Sequence, residues 1–274
     1  MKEVASTIFQ PPTLVSTNGT LLTEHVVEEF ASLRVQVQVS LDSARTERHD
    51  QVRGHGVYAK VMQGIRRLTQ AGVYTILSLV YTRESVGEME GYLDLAAELG
   101  ANEARFIPLR AIGKGLEHQR LRPNQLAAFE RLLDVLNRRP ELARLLARDY
   151  FSILTTQFNY SAPRLNCGLG RKVLFVDADG SVYPCPNHVG PEYLAGNLRE
   201  QTLQQIVLEA PVLQGIRQTH QVTEYTRCRT CPFRYWCAGD CRGEVVASCG
   251  DWRQPSPHCA ESREVYRRYP LVAC

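Results

Sequence analysis

The chain has 274 residues, 44% of them hydrophobic and 22% charged, which suits one large globular domain or two ordinary ones. No apolar run approaches the ~18 residues of a spanning helix, and MKEVASTIFQPP lacks a signal-peptide core, which predicts a soluble, cytoplasmic protein away from the membrane. The net charge of +3, with only short basic pairs such as Arg66-Arg67 and Arg138-Arg139, argues against nucleic acid as a partner.

Thr13–Ser16 is a short apolar run that stops at the turn signal Asn18-Gly19. Thr23 is placed to cap a helix carrying Val26, Val27 and Phe30. RVQVQVS (Arg34–Ser40) alternates with strand period. Its glutamines, Gln36 and Gln38, make one face polar, either as a solvated surface or as a wet lumen. Val57, Val61, Ile65 and Leu68 recur at helical spacing and Gly72 closes that helix. VYTILSLVY (Val73–Tyr81) reads as the next strand. Ser85 and Glu88 predict a capping box for a helix with Val86, Met89, Leu93 and Ala96 inward, ending at Gly100. Glu103–Ile107 predicts a strand, and Leu126, Phe129, Leu133 and Leu136 a further helix. The order β-α-β-α-β-α-β-α describes four units of parallel α/β structure, with function at the C-terminal strand ends. After about residue 150 the pattern shifts to short strands and turns. Lys172–Cys185 predicts a hairpin turning at Asp179-Gly180. The division expected is therefore residues 1–150 and 151–274.

All nine cysteines lie in the last 108 residues, from Cys167 onward. The spacing is C-x12-G-x4-C (Cys167, Gly180, Cys185), then C-x2-C-x5-C-x3-C (Cys228, Cys231, Cys237, Cys241), then Cys259; Cys249 and Cys274 are additional. Disulfides would need an oxidising compartment that no export signal supports. Zinc takes four Cys or His ligands, and His188, His220 and His258 are nearby, but only one C-x2-C knuckle exists and no paired His spacing. A run of close cysteines with remote partners suits iron–sulfur clusters best, with Ala238-Gly239 small enough for close backbone approach.

The cysteine series, with GNLREQTLQQIV (Gly196–Val207) between its halves, resembles the SPASM domain of radical S-adenosylmethionine (SAM) enzymes that mature peptides and proteins. TNGTLL (Thr17–Leu22), VSLDSARTERHDQVRG (Val39–Gly54), LTQAGV (Leu68–Val73) and LGANEARFIPL (Leu99–Leu109) are similar to the middle and later strands of the radical SAM barrel. The resemblance spans residues 12 to about 265. It implies a partial (β/α) radical-SAM-type barrel of about four βα units, followed by a small Cys-rich α+β SPASM domain. It implies two auxiliary [4Fe–4S] clusters. Cys228, Cys231, Cys237 and Cys259 would hold one. Cys167, Cys185 and Cys241 would hold the other, whose fourth site is open or taken by Cys249. Ser40 would touch S-adenosylmethionine and Arg53 would meet its carboxylate. Asp42 would order the following loop, and His49, Tyr183 and Trp236 would serve packing.

In the family, a further cluster held by C-x3-C-x2-C cleaves S-adenosylmethionine to a radical that attacks a peptide. This chain carries no cysteine before Cys167 and no Gly-Gly-Glu segment. By resemblance its first strand is the family's third, so two βα units, on the order of 80–100 residues, are expected to be missing. A truncated product, inactive alone, is one expectation, with a missing N-terminal half or a complete radical SAM enzyme as partner. A non-catalytic electron-transfer or peptide-binding adaptor is another, and a zinc-stabilised interaction module a third. Sulfatase-maturing relatives carry an Asp after the hairpin cysteine; Pro186 follows Cys185 here, which favours other peptide-modifying relatives.

Overall fold

The computed structural model describes residues 13–146 and 164–269. They form two compact units, one of residues 13–109 with 120–146, the other of residues 110–119 with 164–269. The boundary expected at residue 150 lies outside the described residues. The segment 110–119, placed with the barrel on sequence grounds, belongs to the second unit.

In the first unit β1 (Leu14–Thr17), α1 (Glu24–Ser32), β2 (Gln36–Ser40), α2 (Thr46–Arg53), α3 (Val57–Gln70), β3 (Thr75–Tyr81), α4 (Met89–Glu98), β4 (Glu103–Pro108) and α5 (Gln125–Arg138) follow in order. The strands form a parallel sheet in the order β1-β2-β3-β4. Parallel neighbours require a crossover, and helices supply each one. Among the described residues no strand pairs with the outer edge of β1, and a single parallel bridge joins Ala104 of β4 to Leu146. Thr23 caps α1 by accepting the Val26 N–H at 3.3 Å. The apolar stripe of α3 is buried through Val61, Ile65 and Leu68. The turn after β1 needs glycine: Gly19 has φ +76°, and a Cβ there would lie 2.9 Å from Val39 Cγ1. Gly64 of α3 meets the same turn at backbone contact, since its Cβ would fall 2.8 Å from the Gly19 carbonyl.

The alternation of β2 sorts its side chains as expected. Val37 and Val39 are fully buried, while Gln36 and Gln38 stand half-buried on the opposite face. That face is tied into a polar row. Gln38 donates to Ser16 Oγ at 3.3 Å and accepts from Arg105 Nη1 at 2.7 Å. The register brings Ser16, Gln38, Ser40, Ser78 and Arg105 to one side of three interfaces, so the glutamines are cross-strand partners more than solvated surface.

Two local expectations are corrected. Ser85 and Glu88 form no capping box. Ser85 Oγ accepts the Thr82 N–H at 2.8 Å, and the Glu88 carboxylate binds Ser43, Arg45 and Arg48. A short 3₁₀ turn, Val86–Glu88, therefore precedes α4, which starts at Met89. Long-range ion pairs outcompeted the local cap. In α5 the buried stripe is Gln125, Ala128, Phe129, Leu132 and Val135, so only Phe129 of the expected set is fully inside and Leu126, Leu133 and Leu136 flank it. The four leucines cover only about a third of the circumference at 3.6 residues per turn, and packing centred the buried face on the Leu132 side of that arc.

The second unit holds β5 (Phe175–Val176), β6 (Ser181–Tyr183) and β7 (Gly196–Asn197), antiparallel in that order. The hairpin turns at Asp179-Gly180 as predicted. Next come α6 (Leu203–Glu209), α7 (Pro211–Thr219), the one-turn α8 (Arg234–Cys237), α9 (Arg242–Cys249) and α10 (Cys259–Arg268). A capping box between Thr202 and Gln205 starts α6. A small apolar cluster of Val182, Ile206, Ala210 and Leu213 packs the hairpin on α6 and α7. No helix among the described residues is long and apolar enough to cross a membrane.

Candidate metal centres

The cysteine run is folded by tight local turns. Cys231 N–H bonds the Cys228 carbonyl at 2.9 Å, closing a 3₁₀ turn. Cys237 ends α8, and Ala238, Gly239 and Asp240 then take left-handed conformations in succession, with φ +54°, +80° and +60°. That reversal ends the helix and delivers Cys241 to the start of α9. Cys259 is the first residue of α10. These turns bring Cys228, Cys231, Cys237 and Cys259 to the wall of one cavity of about 170 Å³. Several waters' share of liquid volume, about 30 Å³ each, would fit there. Arg227, Arg234 and Arg263 also line it.

Cys228, Cys237 and Cys259 are each held above the ordinary thiol range. Burial pushes the Cys237 thiol well up, charge on Asp240 and Cys228 adds to the push, and Arg242 opposes it. Burial likewise raises Cys228, with Arg242 opposing and Cys259 and Cys231 adding. Cys259 is raised by burial and then by Cys231.

Cys167, Cys185 and Cys241 form a second group. Burial pushes Cys185 up to about 12; the Asn187 backbone opposes, and charge on Cys241 and Cys167 adds. Cys241 is raised by burial and by Asp240 and Cys167, against the pull of Arg110. The Asn187 amide donates to Cys241 Sγ at 3.3 Å. A close approach makes this meeting: a Cβ on Gly243 of α9 would lie 2.4 Å from the Asn187 carbonyl. Thus Cys241, third in sequence from Cys228 in its run, keeps company with Cys185, 56 positions away from it. Cys249 is exposed in the last turn of α9. Cys274 lies outside the described residues.

The eight described cysteines are all free thiols. Of the histidines weighed as zinc ligands, His188 Nδ1 lies 3.3 Å from Cys185 Sγ, with burial holding it down to about 4. His220 stacks on Trp252 with ring centres 4.0 Å apart. His258 bonds Glu244 at 3.3 Å, and although burial works against its charge, Glu244 and Glu261 raise it to about 9. Among the described residues no three Cys, His, Asp or Glu side chains converge as a single metal ion would require.

A buried ion cluster adjoins both groups. Arg110 Nη1 donates to Glu244 at 2.7 Å and Nη2 reaches Asp240 at 3.4 Å. The Ala111 N–H also bonds Glu244, at 3.2 Å, and Ser256 Oγ donates to Asp240 at 2.6 Å. Glu244 and His258 side chains are fully buried. Burial works against ionised Asp240, yet Arg110, His258 and Ser256 hold its carboxyl well below the usual range. Two cations thus face two carboxylates. Sequence reasoning missed this set. Its one local signal is Asp240-Cys241-Arg242-Gly243-Glu244, where three charges bracket a cysteine.

In the first unit, Ser40 ends β2 on the polar face, and Arg53 ends α2. Arg53 Nε donates to Asp42, whose own N–H bonds His49 Nδ1 at 3.1 Å. Asp42 and His49 therefore order the turn after β2. Tyr183 stacks on Phe175 and Trp236 meets Phe233 edge-on, both packing contacts.

Known proteins share these features. The radical SAM superfamily profile matches residues 4–96, and that of the SPASM iron–sulfur cluster-binding domain matches residues 167–232. The chain is 30% identical over 265 residues to the AdoMet-dependent heme synthase of Methanosarcina barkeri, covering 90% of this chain and 73% of that protein. It is 31% identical over 252 residues to a mycofactocin maturase of Mycobacterium ulcerans, covering 90% of this chain and 66% of that one. Among solved structures, native anSMEcpe with bound AdoMet and Cp18Cys peptide superposes with a TM-score of 0.73 at 18% identity, covering 95% of this chain and 74% of that chain, a likeness of fold. With a parallel βα sheet, a cysteine-bearing second unit and these relatives, the chain belongs to the radical SAM superfamily, in the group whose members carry a SPASM iron–sulfur domain.

Proposed function

We propose that this chain is the barrel-and-SPASM part of a maturase that modifies a peptide or protein, with two auxiliary [4Fe–4S] clusters in residues 151–274 and a partial barrel in residues 1–150. Cys228, Cys231, Cys237 and Cys259 hold one cluster; Cys167, Cys185 and Cys241 hold three corners of the other. The observation that carries this reading is the single cavity ringed by four thiols. Thiolates are the soft ligands such clusters take, and burial that disfavours the bare thiolate is reversed by a bound cationic metal core. When bound, such clusters supply one-electron chemistry or a site for substrate. The free thiols fit the reducing cytoplasm. On the barrel, Ser40 and Arg53 face S-adenosylmethionine, Arg53 being held by Asp42.

Residues 1–166 contain no thiolate to hold a SAM-cleaving cluster, so we expect no cleavage by this chain alone. Peptide recognition is supported by the peptide bound in the structurally similar anSMEcpe and by the maturase among its relatives. The haem synthase favours a second reading, in which the substrate is a tetrapyrrole. Equilibrium binding of a precursor peptide against a haem precursor separates the two.

Anaerobic reconstitution tests the reading. About eight irons per chain and a broad absorbance near 400 nm are the outcome expected for two cubes. Zinc without that absorbance would establish the interaction module instead. Formation of 5′-deoxyadenosine under strong reductant would overturn the expectation of inactivity.

A further inference from the structure

Arg242 is the largest fully buried side chain of the described residues, 1% exposed at the start of α9. Its Nη1 donates to the carbonyls of Trp252 at 2.8 Å and Gln254 at 3.0 Å, and Nη2 donates to the Gly239 carbonyl. Its Cζ lies 4.4 Å from the centre of the Tyr225 ring. Every one of these partners is neutral. Its Nε is buried with no hydrogen bond. Among the described residues no carboxylate pairs with it. Asp240 and Glu244, its neighbours in sequence, are already taken by Arg110, Ser256 and His258.

A guanidinium does not deprotonate in a protein, and a buried charge without a counter-ion is costly. The fold nevertheless builds a seat for it. Gly239 is required there, because a Cβ at that position would lie 2.4 Å from the Tyr225 ring and push it off the guanidinium. Gly239 stands two residues after Cys237, and Tyr225 three before Cys228. The clamp thus joins the two ends of the cysteine run. Arg110 is neutralised by carboxylates; Arg242 is not.

We propose that Arg242 is the fixed counter-cation of the group held by Cys228, Cys231, Cys237 and Cys259, a positioning residue that ligates nothing and holds that site's reduction potential up. The inference rests on the cluster reading above. Four thiolates outweigh the positive charge of a [4Fe–4S] core, so the assembly is a net anion that becomes more negative on taking up an electron. A fixed cation beside it favours the reduced form, through the net-charge lever that sets such potentials.

The test is a dithionite titration of the reconstituted chain, followed by electron paramagnetic resonance. In Arg242→Met, iron content is expected to hold while one of the two signals moves to lower potential. Its reduced-to-oxidised ratio at the wild-type midpoint should fall about tenfold, which is 59 mV for one electron. Arg242→Lys keeps the charge and should keep the wild-type midpoint. Wild-type potentials for both signals in Arg242→Met overturn the inference and leave the cluster reading intact. If Arg242→Met does not fold, Arg242→Gln is titrated in its place: a lowered midpoint for one signal supports the counter-cation, and wild-type potentials for both overturn it. A wild-type chain that takes up no iron overturns the cluster reading and this inference together.

Discussion

The two units bury different things. In the first, Val37, Val39, Ile65, Leu68, Ile76, Leu77 and Leu79 are fully enclosed, and its ion pairs are partly exposed, as with Arg138 and Glu90. In the second, apolar burial is divided among small sets, Val182, Ile206, Ala210 and Leu213 in one and Val222, Tyr225, Val245 and Val265 elsewhere, while Arg242, Glu244 and His258 are as buried as any leucine. A sheet flanked by amphipathic helices is held by removal of apolar surface from water. A small loop-rich region has less of that resource and usually adds a staple. On the proposed cluster reading, the second unit's stability and its chemistry draw on the same residues, whereas the first unit's core is separable from Ser40 and Arg53.

The largest test is removal of metal from the reconstituted protein. Chelation should release amide protection through residues 225–241 and α10 in hydrogen exchange, while β2 and β3 keep theirs; equal loss in β3 would break the comparison. Next, Glu244→Gln cuts a buried ion pair and leaves Arg110 with its longer, 3.4 Å contact to Asp240, which should cost up to about 3–5 kcal/mol in denaturant unfolding of the second unit. Leu77→Ala leaves a cavity in the parallel sheet and should cost about 2–5 kcal/mol, with iron uptake per folded chain unchanged; a fall in iron would show that the units are coupled. Asn124→Ala removes the cap that accepts the Ala127 N–H at 2.9 Å and should cost about 1 kcal/mol, read as a small fall in melting temperature.

Acid gives the smallest effect and sharpens the contrast within the first unit. Burial works against ionised Glu88, but hydrogen bonds from Arg45, Arg48 and Ser43 prevail and lower its pKa. A depressed carboxylate stabilises the fold above its unfolded pKa, and that contribution is lost as pH falls through the folded value. Stability of the first unit should therefore decline on acidification below about pH 4, and Glu88→Gln should flatten that decline.

Much was legible from local pattern. Strict alternation placed Val37 and Val39 inside because side chains on a strand alternate faces. The SPASM resemblance implied two interleaved groups; in the structure Cys228, Cys231, Cys237 and Cys259 line one cavity, and the Asn187 amide beside Cys185 donates to Cys241. Where a residue had two partners to choose from, pattern failed. Glu88 could cap a helix three residues from Ser85 or bind arginines some forty positions away, and the arginines won. In α5 the leucines marked one arc, and packing centred the buried face on its Leu132 side.

Periodicity acts over a few residues, where chain geometry leaves little freedom, and so it decided the elements and their order. Charge pairing acts between residues that only the fold brings together. Nothing near Arg110 in the chain announces Glu244, 134 positions later, and nothing near Arg242 announces that its acceptors are all neutral carbonyls. Burial made those choices binding: a guanidinium taken out of water must be matched by the groups the tertiary structure puts around it.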